Sequence, residues 1–598
     1  MPGLGFYDTN IPCLAACPVH TNAGMYVAAI ADGDDLLAYD TARFPNPLAS
    51  ICGRVCAAPC EDACRRGLID EPIAIRALKR FVTEKYGVEA GPASRWNAQA
   101  GGVSAAGARS VGVVGGGPAG LAAAHDLRRL GHSVTIYEAR RDLGGMMVLG
   151  IPEYRLDRRL VGAEIAAIIA MGVDVEFDTR LGTDVTLDQL RERHDAVCLA
   201  LGATLGRDLD IEGSDADGVF RAIEFLLNVN LGFHVDIGER VVVIGGGNVA
   251  MDAARTALRA DAYREARRAD LALRYESADE LASITEAVDV ARTAVRAGAR
   301  EVTVISLEAR HEMPAASFEI EEAIDEGIRF LHRRGPARII VEGGAASGLE
   351  TIAVLSVFDS QGRFAPEFDP TDRSILQADT VILAIGQSVD LEALGAGGPT
   401  ITPRGTISID PETGMTSLEG VWAGGDAAFG PRNLIDAVAD GQRMAASIHR
   451  SFGGRLAPRL PGELAEDIRF QRLLDRYDRG TRVAVPSLAS DRRIGLREVE
   501  VGYTEAMARL EAERCLRCFA NIQLEVEACV LCGLCSDVCP FDLISLVPAS
   551  EIEGGWTGTA LLLDESRCIR CALCIERCPT NALSMSTWTG VGVPVEVA

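Results

Sequence analysis

Sixteen of the seventeen cysteines in this 598-residue chain lie in two groups at opposite ends of the sequence. The N-terminus "MPGLGFYDTN" has no basic start followed by an apolar run, which predicts no signal peptide. A large chain of that kind does not normally use cysteines as a disulfide framework, so the grouping predicts metal binding. The exception is Cys198, in the apolar stretch "DAVCLALGA", which we expect to be buried packing. The sixteen are Cys13, Cys17, Cys52, Cys56, Cys60, Cys64, Cys515, Cys518, Cys529, Cys532, Cys535, Cys539, Cys568, Cys571, Cys574 and Cys578.

The second group ends in two copies of one spacing. The segments "CVLCGLCSDVCP" (529–540) and "CIRCALCIERCP" (568–579) are each C-x2-C-x2-C-x3-C-P, the spacing of two-cluster bacterial ferredoxins. In that arrangement the cysteine before proline ligates the cluster of the other copy. One [4Fe–4S] cluster is therefore predicted on Cys529, Cys532, Cys535 and Cys578, and another on Cys568, Cys571, Cys574 and Cys539. A pair of zinc sites is the alternative, although zinc sites rarely use three such closely spaced cysteines.

Two glycine-rich turns predict two dinucleotide sites. In "GGGPAG", Gly115, Gly117 and Gly120 follow the apolar strand "SVGVV" and open a helix, so the backbone can approach a pyrophosphate. Glu138 ends the next strand, where its carboxylate can accept both ribose hydroxyls. The later segment "GVWAGGDAA" resembles the second motif of two-dinucleotide flavoproteins, whose aspartate, here Asp426, binds the ribityl chain of FAD. The predicted FAD contacts are Gly115, Gly117, Pro118, Ala119, Gly120, Glu138, Ala139, Arg140, Gly145, Gly425 and Asp426.

The second turn, "GGGNVA", predicts a nicotinamide site. In the flavoproteins that this arrangement resembles, the next strand ends in "YRR", whose arginines hold a 2′-phosphate. Alignment on "EMPA" places Ser306, Leu307 and Glu308 at those three positions. A carboxylate there would bind a 2′-hydroxyl and repel a 2′-phosphate, which predicts NAD(H); a solvated turn residue is the alternative for Glu308. The remaining predicted nucleotide contacts are Gly245, Gly247, Asn248, Val249, Ala250 and Gly386.

The order of these segments predicts an α/β fold with two doubly wound dinucleotide-binding domains. An N-terminal helical iron–sulfur domain precedes them, and a C-terminal α+β ferredoxin-like domain follows. We expect an N-terminal domain at 1–105, an FAD domain at 106–222 and 396–455, and an inserted NAD(H) domain at 223–395. A connector at 456–510 then leads to a cysteine-rich tail at 511–598.

The net charge of the chain limits the classes of partner that it is expected to bind. Asp and Glu number 85 against 59 Lys and Arg, a formal net charge of −26. Such a surface repels nucleic acids and anionic membranes, and no apolar run is long enough to span a bilayer. We therefore expect a cytoplasmic protein with neither as a partner.

The N-terminal segments "CLAACPVHT" and "SICGRVCAAPCEDACRRG", with "GGMMVLGIPEYRLD", resemble the small subunit of glutamate synthase. The same arrangement occurs in the N-terminal half of dihydropyrimidine dehydrogenase. It also occurs in the larger subunit of NADH-dependent ferredoxin:NADP oxidoreductase. The resemblance extends from residue 13 to about residue 452, and it implies two [4Fe–4S] clusters in the N-terminal domain.

In that family a "RCLxC" pair upstream of the cysteine matching Cys13 completes one cluster with the cysteines matching Cys13 and Cys64. This chain has no such pair there, but "EAERCLRC" stands at 511–518. The resemblance thus implies that Cys515 and Cys518 join Cys13 and Cys64; a separate zinc or metal-free pair is the alternative. For the other cluster it implies Cys17, Cys56 and Cys60. The family's Gln or Glu ligand is replaced here by Lys79, so Cys52 is the expected fourth ligand.

These expectations amount to one FAD, one NAD(H) site and four [4Fe–4S] clusters. FAD exchanges hydride with nicotinamide and single electrons with clusters, so no catalytic acid or base is predicted. The sequence therefore favours an oxidoreductase between NAD(H) and ferredoxin or a larger partner subunit, for example one that oxidises a 2-oxoacid or an aldehyde. A glutamate synthase small subunit and a non-enzymatic cluster protein are the alternatives.

Overall fold

The computed structural model describes residues 10–95, 108–233, 235–260, 299–395, 397–456, 463–465, 479–493, 495–552 and 557–589. The predicted boundary between residues 105 and 106 lies outside these residues. Within them, no helix is long and apolar enough to cross a membrane.

The helices and strands are numbered separately along the chain. The helices are α1 (Pro12–Ala15), α2 (Ala23–Asp32), α3 (Asp35–Arg43), α4 (Ala49–Val55), α5 (Pro59–Asp62), α6 (Ile75–Tyr86), α7 (Pro118–Arg129), α8 (Met146–Leu149), α9 (Arg158–Ile169), α10 (Leu187–Arg193), α11 (Ala222–Asn230), α12 (Asn248–Leu258), α13 (Ser317–Asp325), α14 (Asp426–Phe429), α15 (Leu434–Ser451), α16 (Glu505–Glu513), α17 (Leu534–Asp537) and α18 (Leu573–Glu576). The strands are β1 (Ser110–Val114), β2 (Ser133–Tyr137), β3 (Asp174–Glu176), β4 (Ala196–Leu199), β5 (Leu205–Gly206), β6 (Val219–Arg221), β7 (Arg240–Ile244), β8 (Glu301–Ser306), β9 (Arg329–His332), β10 (Arg334–Glu342), β11 (Ala345–Phe358), β12 (Phe364–Gln377), β13 (Thr380–Leu383), β14 (Gln387–Ser388), β15 (Val421–Ala423), β16 (Glu463–Ala465), β17 (Asn521–Leu524), β18 (Ile544–Pro548), β19 (Thr559–Leu563) and β20 (Leu583–Thr589).

The first nucleotide domain is a parallel sheet in the order β15-β4-β1-β2-β3. Its central strands are continuous apolar runs because helices cover both faces, as expected for a parallel sheet. Helix α15 packs on α7, and a methyl group at Gly441 would collide with the Ala119 carbonyl oxygen. This close crossing brings the end of β15 beside the first glycine turn.

The second nucleotide domain is also parallel, in the order β6-β13-β7-β8-β9. Strand β6 pairs with β13 through Val219 and Val381. It therefore belongs to the second sheet, although it precedes the boundary expected at residues 222 and 223. A separate antiparallel sheet, β10-β11-β12, follows β9. The α/β class with two doubly wound domains is confirmed.

The N-terminal helices α1–α6 share a core with part of the tail. Tyr26 and Leu78 from the N-terminal region are buried in the same apolar cluster as Ala508, Ala512 and Phe519. Helix α16 thus packs as a member of the N-terminal domain, although more than 400 residues separate it from α6 in sequence.

The tail forms a small α+β unit. Strands β17 and β20 pair antiparallel, β18 and β19 form a second pair, and short helices α17 and α18 lie between them. The described part of the predicted connector contacts the N-terminal helices, because Glu498 and Glu500 form ion pairs with Arg54 and Arg76.

Candidate functional site

The two glycine turns have the same backbone geometry. Gly115 has φ +102° and Gly245 has φ +145°, values that side chains rarely tolerate. A methyl group on Gly115 would collide with the Ala200 carbonyl oxygen, and one on Gly245 with that of Ala384. In each domain the turn therefore passes directly over the end of a neighbouring strand, as close approach to a pyrophosphate requires.

The other predicted nucleotide contacts lie at the two turns, at the starts of the helices that follow and at neighbouring strand ends. Gly117 is the N-cap of α7, which begins with Pro118 and Ala119. Gly247 is the N-cap of α12, which begins with Asn248 and Val249. Ala250 is fully buried against the second sheet, while Ala139 and Arg140 follow β2. Gly145 has φ +51° and approaches Gly117, whereas the Gly386 carbonyl accepts from the Arg207 amide at 3.1 Å.

Glu138 is held at the first turn by its neighbours' backbone. Its carboxylate accepts from the Gly116 amide at 2.9 Å and from the Arg140 amide at 3.0 Å. Burial raises the pKa of this carboxyl despite these hydrogen bonds. A fixed acceptor at this edge is what the ribose of a dinucleotide requires.

Asp426 stands at the end of β15, where the second flavin motif was expected. Burial raises the pKa of Asp426 to about 6. Sequence analysis missed its neighbour Asp440 on α15, which accepts from the Gly425 amide at 3.1 Å and pairs with Arg432 and Arg443. An acid on the apolar face of a helix that follows a flavin motif was the available signal.

Glu308 takes the position at the second turn that Glu138 takes at the first. A methyl group on Gly246 would lie 2.7 Å from Oε2 of Glu308, and one on Gly116 would lie 3.1 Å from Oε2 of Glu138. The Glu308 carbonyl is fixed by Ser306 Oγ at 2.9 Å and by the Arg333 amide at 3.2 Å. The Arg333 guanidinium itself pairs with Glu312 at 2.7 Å.

The structure brings four cysteines from the two ends of the chain together. Burial, with the thiols of Cys518, Cys64 and Cys515, raises the pKa of Cys13. These four, which we call the clip set, are those that the resemblance implied.

The two-residue loop of the clip set has the conformation of the ferredoxin-type loops. Arg517, Leu531 and Arg570 each precede the second cysteine of a C-x-x-C pair and have φ of 50°, 53° and 61°. A left-handed conformation is unfavourable for such side chains, so it persists only where the loop's surroundings impose it. The pair Cys515 and Cys518 is thus shaped like the loops of the tail.

The other N-terminal cysteines surround a lysine. Burial acts to lower the pKa of Lys79, but the thiols of Cys52, Cys17, Cys56 and Cys60 outweigh it and raise the pKa. Cys52 is 1% exposed and shares a hydrogen bond with Cys56, which raises the pKa of Cys52 and lowers that of Cys56 to about 7. Cys52 therefore lies in this group, and Lys79 presents an ammonium to it.

The tail arranges its eight cysteines in two crossed groups. A cavity is lined by Cys529, Cys532, Cys535 and Cys578. Burial raises the pKa of Cys574 to about 12, and the negative charges of nearby thiols add to this effect. These thiols are those of Cys568, Cys571, Cys535 and Cys539. The Leu543 amide donates to Cys539 Sγ at 3.3 Å and the Ala582 amide to Cys578 Sγ at 3.2 Å, so the two crossing cysteines have equivalent partners.

Each of the four groups presents cysteine thiols, which are the usual ligands of [4Fe–4S] clusters. Among the described residues, no three His, Cys, Asp or Glu side chains are placed to share one metal ion. A [4Fe–4S] cubane takes one cysteine at each iron, so its ligands stand around a larger body. Cys198 is fully buried in β4, and burial raises its pKa to about 12, as packing implies.

Comparison with known proteins agrees with this arrangement. A family model for pyridine nucleotide-disulphide oxidoreductases matches residues 109–441. A model for the 4Fe-4S cluster of dihydropyrimidine dehydrogenase domain II matches 7–90, and one for a 4Fe-4S dicluster domain matches 528–582.

Several relatives match most of the length of this chain. The chain is 37% identical to the NADP(+)-dependent formate dehydrogenase subunit beta of Moorella thermoacetica, over 85% of this chain and 70% of the relative. It is 34% identical to the NADPH-Fe(3+) oxidoreductase subunit beta of Geobacter sulfurreducens, over 85% and 75%. The glutamate synthase [NADPH] small chain of Azospirillum brasilense is 29% identical, over 73% and 85%. The chain therefore belongs to the pyridine nucleotide-disulphide oxidoreductase family, in the branch that resembles the glutamate synthase small subunit and carries iron–sulfur domains at both ends.

Proposed function

We propose that this flavin- and iron–sulfur-dependent oxidoreductase transfers electrons between NAD(H) and an iron–sulfur partner, and that it acts as the NAD-coupling subunit of a larger enzyme. The observation that carries the proposal is the pair of equivalent glycine turns, each with a carboxylate against it, in a chain that also holds four cysteine groups. Bound FAD would exchange a hydride with nicotinamide and single electrons with iron–sulfur clusters.

The residues of this chain bind and orient those groups. Gly115 and the N-terminus of α7 would receive the FAD pyrophosphate, with Glu138 on the ribose and Asp426 on the ribityl chain. Gly245 and the N-terminus of α12 would receive the nicotinamide dinucleotide. The cysteines would hold four clusters, with Cys52 as the fourth ligand beside Cys17, Cys56 and Cys60.

Glu308 supports NAD(H) over NADP(H). A carboxylate at the turn accepts a hydrogen bond from a 2′-hydroxyl but repels a 2′-phosphate. Arg333, whose amide donates to the Glu308 carbonyl oxygen, has its guanidinium paired with Glu312. The names of two relatives specify NADP(+) or NADPH. This chain would therefore differ from them in the nicotinamide cofactor that it uses.

The partner is the second part of the proposal. The relatives with the highest identity quoted above are beta subunits, one of an NADP(+)-dependent formate dehydrogenase and one of an NADPH-Fe(3+) oxidoreductase. We infer a catalytic subunit that oxidises a small organic substrate, such as formate, an aldehyde or a 2-oxoacid, and exchanges electrons with the tail. No observation favours a glutamate synthase activity, since the tail adds clusters to that arrangement.

The test is an anaerobic titration of the purified chain with NADH and, separately, NADPH. NADH should bleach the flavin at least about tenfold more efficiently than NADPH, and Glu308→Gln should reduce that preference about tenfold. Glu138→Gln is the matched control, because it should lower flavin content without changing the preference. Flavin that neither nucleotide bleaches would contradict the proposed function, and a preference for NADPH would contradict the assignment of Glu308.

A pull-down of the tagged chain under anaerobic conditions tests the partner. A stoichiometric oxidoreductase subunit that reduces this flavin with its own substrate is the expected result. A chain that purifies alone and reduces ferredoxin with NADH would instead be a free-standing reductase.

A further inference from the structure

Two arginines lie where the clip set meets the tail. Arg65 directly follows Cys64 of the clip set, and its Nη1 donates to the Cys568 carbonyl oxygen at 3.0 Å. Arg570 belongs to the loop between Cys568 and Cys571, and its Nη2 donates to Asn521 Oδ1 at 2.9 Å. Each arginine thus comes from the loop of one cysteine group, and Arg65 reaches across to the loop of the other.

Both guanidinium groups are buried beside cysteine sulfurs. Arg65 is 6% exposed and Arg570 is 0% exposed. Burial raises the pKa of Cys518 to about 11, and the thiols of Cys64 and Cys568 add to this increase. The guanidinium groups of Arg65 and Arg570 act in the opposite direction and lower the pKa. Cys518 of the clip set and Cys568 of the tail therefore share these two cations as neighbours.

Arg65 has no carboxylate as a direct ion-pair partner among the described residues, although Glu565 and Asp564 act on its charge at longer range. Its two hydrogen bonds go to the carbonyl oxygens of Cys568 and Asn10, and among the described residues no acid forms an ion pair with it. Its Nε is buried with no hydrogen-bond acceptor in the described part of the chain. Arg570, by contrast, pairs with Glu565. A buried cation without a directly paired anion is costly, so an anionic group such as a thiolate-ligated cluster beside Cys518 would stabilise Arg65.

We propose that Arg65 and Arg570 are positioning residues that hold the clip cluster and the Cys568 cluster side by side and raise the reduction potentials of both. The inference rests on the cluster assignments in the proposed function. Reduction adds negative charge to a cluster, and a buried cation beside its sulfurs favours that state, since cluster potential depends on net charge and surroundings. The pair would thereby set the potential at the contact between the two iron–sulfur regions.

The test is a redox titration of the full-length chain with dithionite, followed by electron paramagnetic resonance. Arg65→Met should make one-electron reduction of these two clusters about tenfold less favourable, a shift of about 59 mV to lower potential. Arg570→Met should shift the same two signals in the same direction. Arg567→Met is the matched control, because Arg567 is an exposed cation in the same loop region and should cause no shift.

A second measurement uses no arginine variant, so it does not depend on how much iron the arginine variants contain. In the fully reduced chain, the clip and Cys568 clusters should interact magnetically, and Cys515→Ser with Cys518→Ser should remove that interaction. Unchanged potentials in iron-replete Arg65→Met, or no such interaction in the unmodified chain, would overturn the inference. Dithionite bypasses nicotinamide and flavin, so either result is independent of whether NADH bleaches the flavin.

Discussion

The two iron–sulfur regions are built in opposite ways. In the tail, eight cysteines within 50 residues form two groups, and short helices and hairpins position them locally. In the clip set, Cys13 and Cys64 meet Cys515 and Cys518 only because the chain returns to its N-terminal domain. The comparison shows that one cysteine spacing can serve a self-contained site or half of a divided one.

The clip does not depend on cysteines alone. Glu511 of α16 is fully buried and accepts from the amides of Ala74 and Val483 at 2.9 and 2.8 Å. Arg514 pairs with Asp70 at 2.9 Å and with Glu511 at 2.7 Å. The divided site therefore has packing and ion pairs of its own, which predicts that docking and metal binding can be separated.

The largest expected effect is loss of one cluster from the divided site. Cys515→Ser with Cys518→Ser should remove about four of about sixteen iron atoms and leave the tail clusters intact. Helix α16 should stay docked, because its apolar contacts and ion pairs remain. Iron analysis, paramagnetic resonance and hydrogen exchange of α16 measure this. Cys529→Ser with Cys532→Ser is the control in the local site, and unchanged iron in the clip variant would refute the division.

Breaking the ion pairs should have the next largest effect. Arg514→Met removes the ion-pair partner of the buried Glu511, whereas Asp70 keeps Arg66, and this loss should weaken docking of α16 by about 3 kcal/mol. Amide exchange in α16 would then accelerate by about two orders of magnitude. Arg567→Met in the tail removes an exposed cation and should change exchange little. Equal effects of the two substitutions would show that α16 is held by apolar packing alone.

Acid should loosen the divided site through Asp70. Although burial acts against its charged form, the guanidinium of Arg66 and the amide of Gly480 hold the pKa of Asp70 well below its usual range. Because this pKa is depressed, the stabilisation is fully present above about pH 4 and is lost as pH falls further. Amide exchange gives the free energy of opening of α16 in the unmodified chain and in Asp70→Asn. The difference between these two free energies should therefore shrink by about 1–2 kcal/mol on acidification. A difference that is constant with pH would contradict this role.

The smallest expected effect concerns the cysteine outside both regions. Cys198→Ala in β4 removes one buried sulfur and should destabilise the first sheet by about 1 kcal/mol. Iron content, flavin content and cluster spectra should not change. Any loss of iron would mean that the count of sixteen ligands is wrong.

Much of the nucleotide machinery was predictable from sequence. Gly115, Gly120 and Glu138 fall within one strand–turn–helix–strand unit, so their relative positions follow from regular local geometry. The tail spacing was predictable for the same reason. The partners of Asp440 were not predictable, because an acid on a helix meets Arg432 and the Gly425 amide only when α15 packs beside β15.

The sequence by itself determined the kinds of site: two glycine turns, a ferredoxin-type tail and a cysteine surplus that local spacing could not explain. Only tertiary structure decided which distant groups meet. It packed α16 into the N-terminal core, set Glu308 against Gly246 and enclosed Arg65 between Cys64 and Cys568. The physical reason is that spacing constrains neighbours within a turn or a strand, whereas contacts between remote segments depend on how apolar faces and buried charges are jointly satisfied.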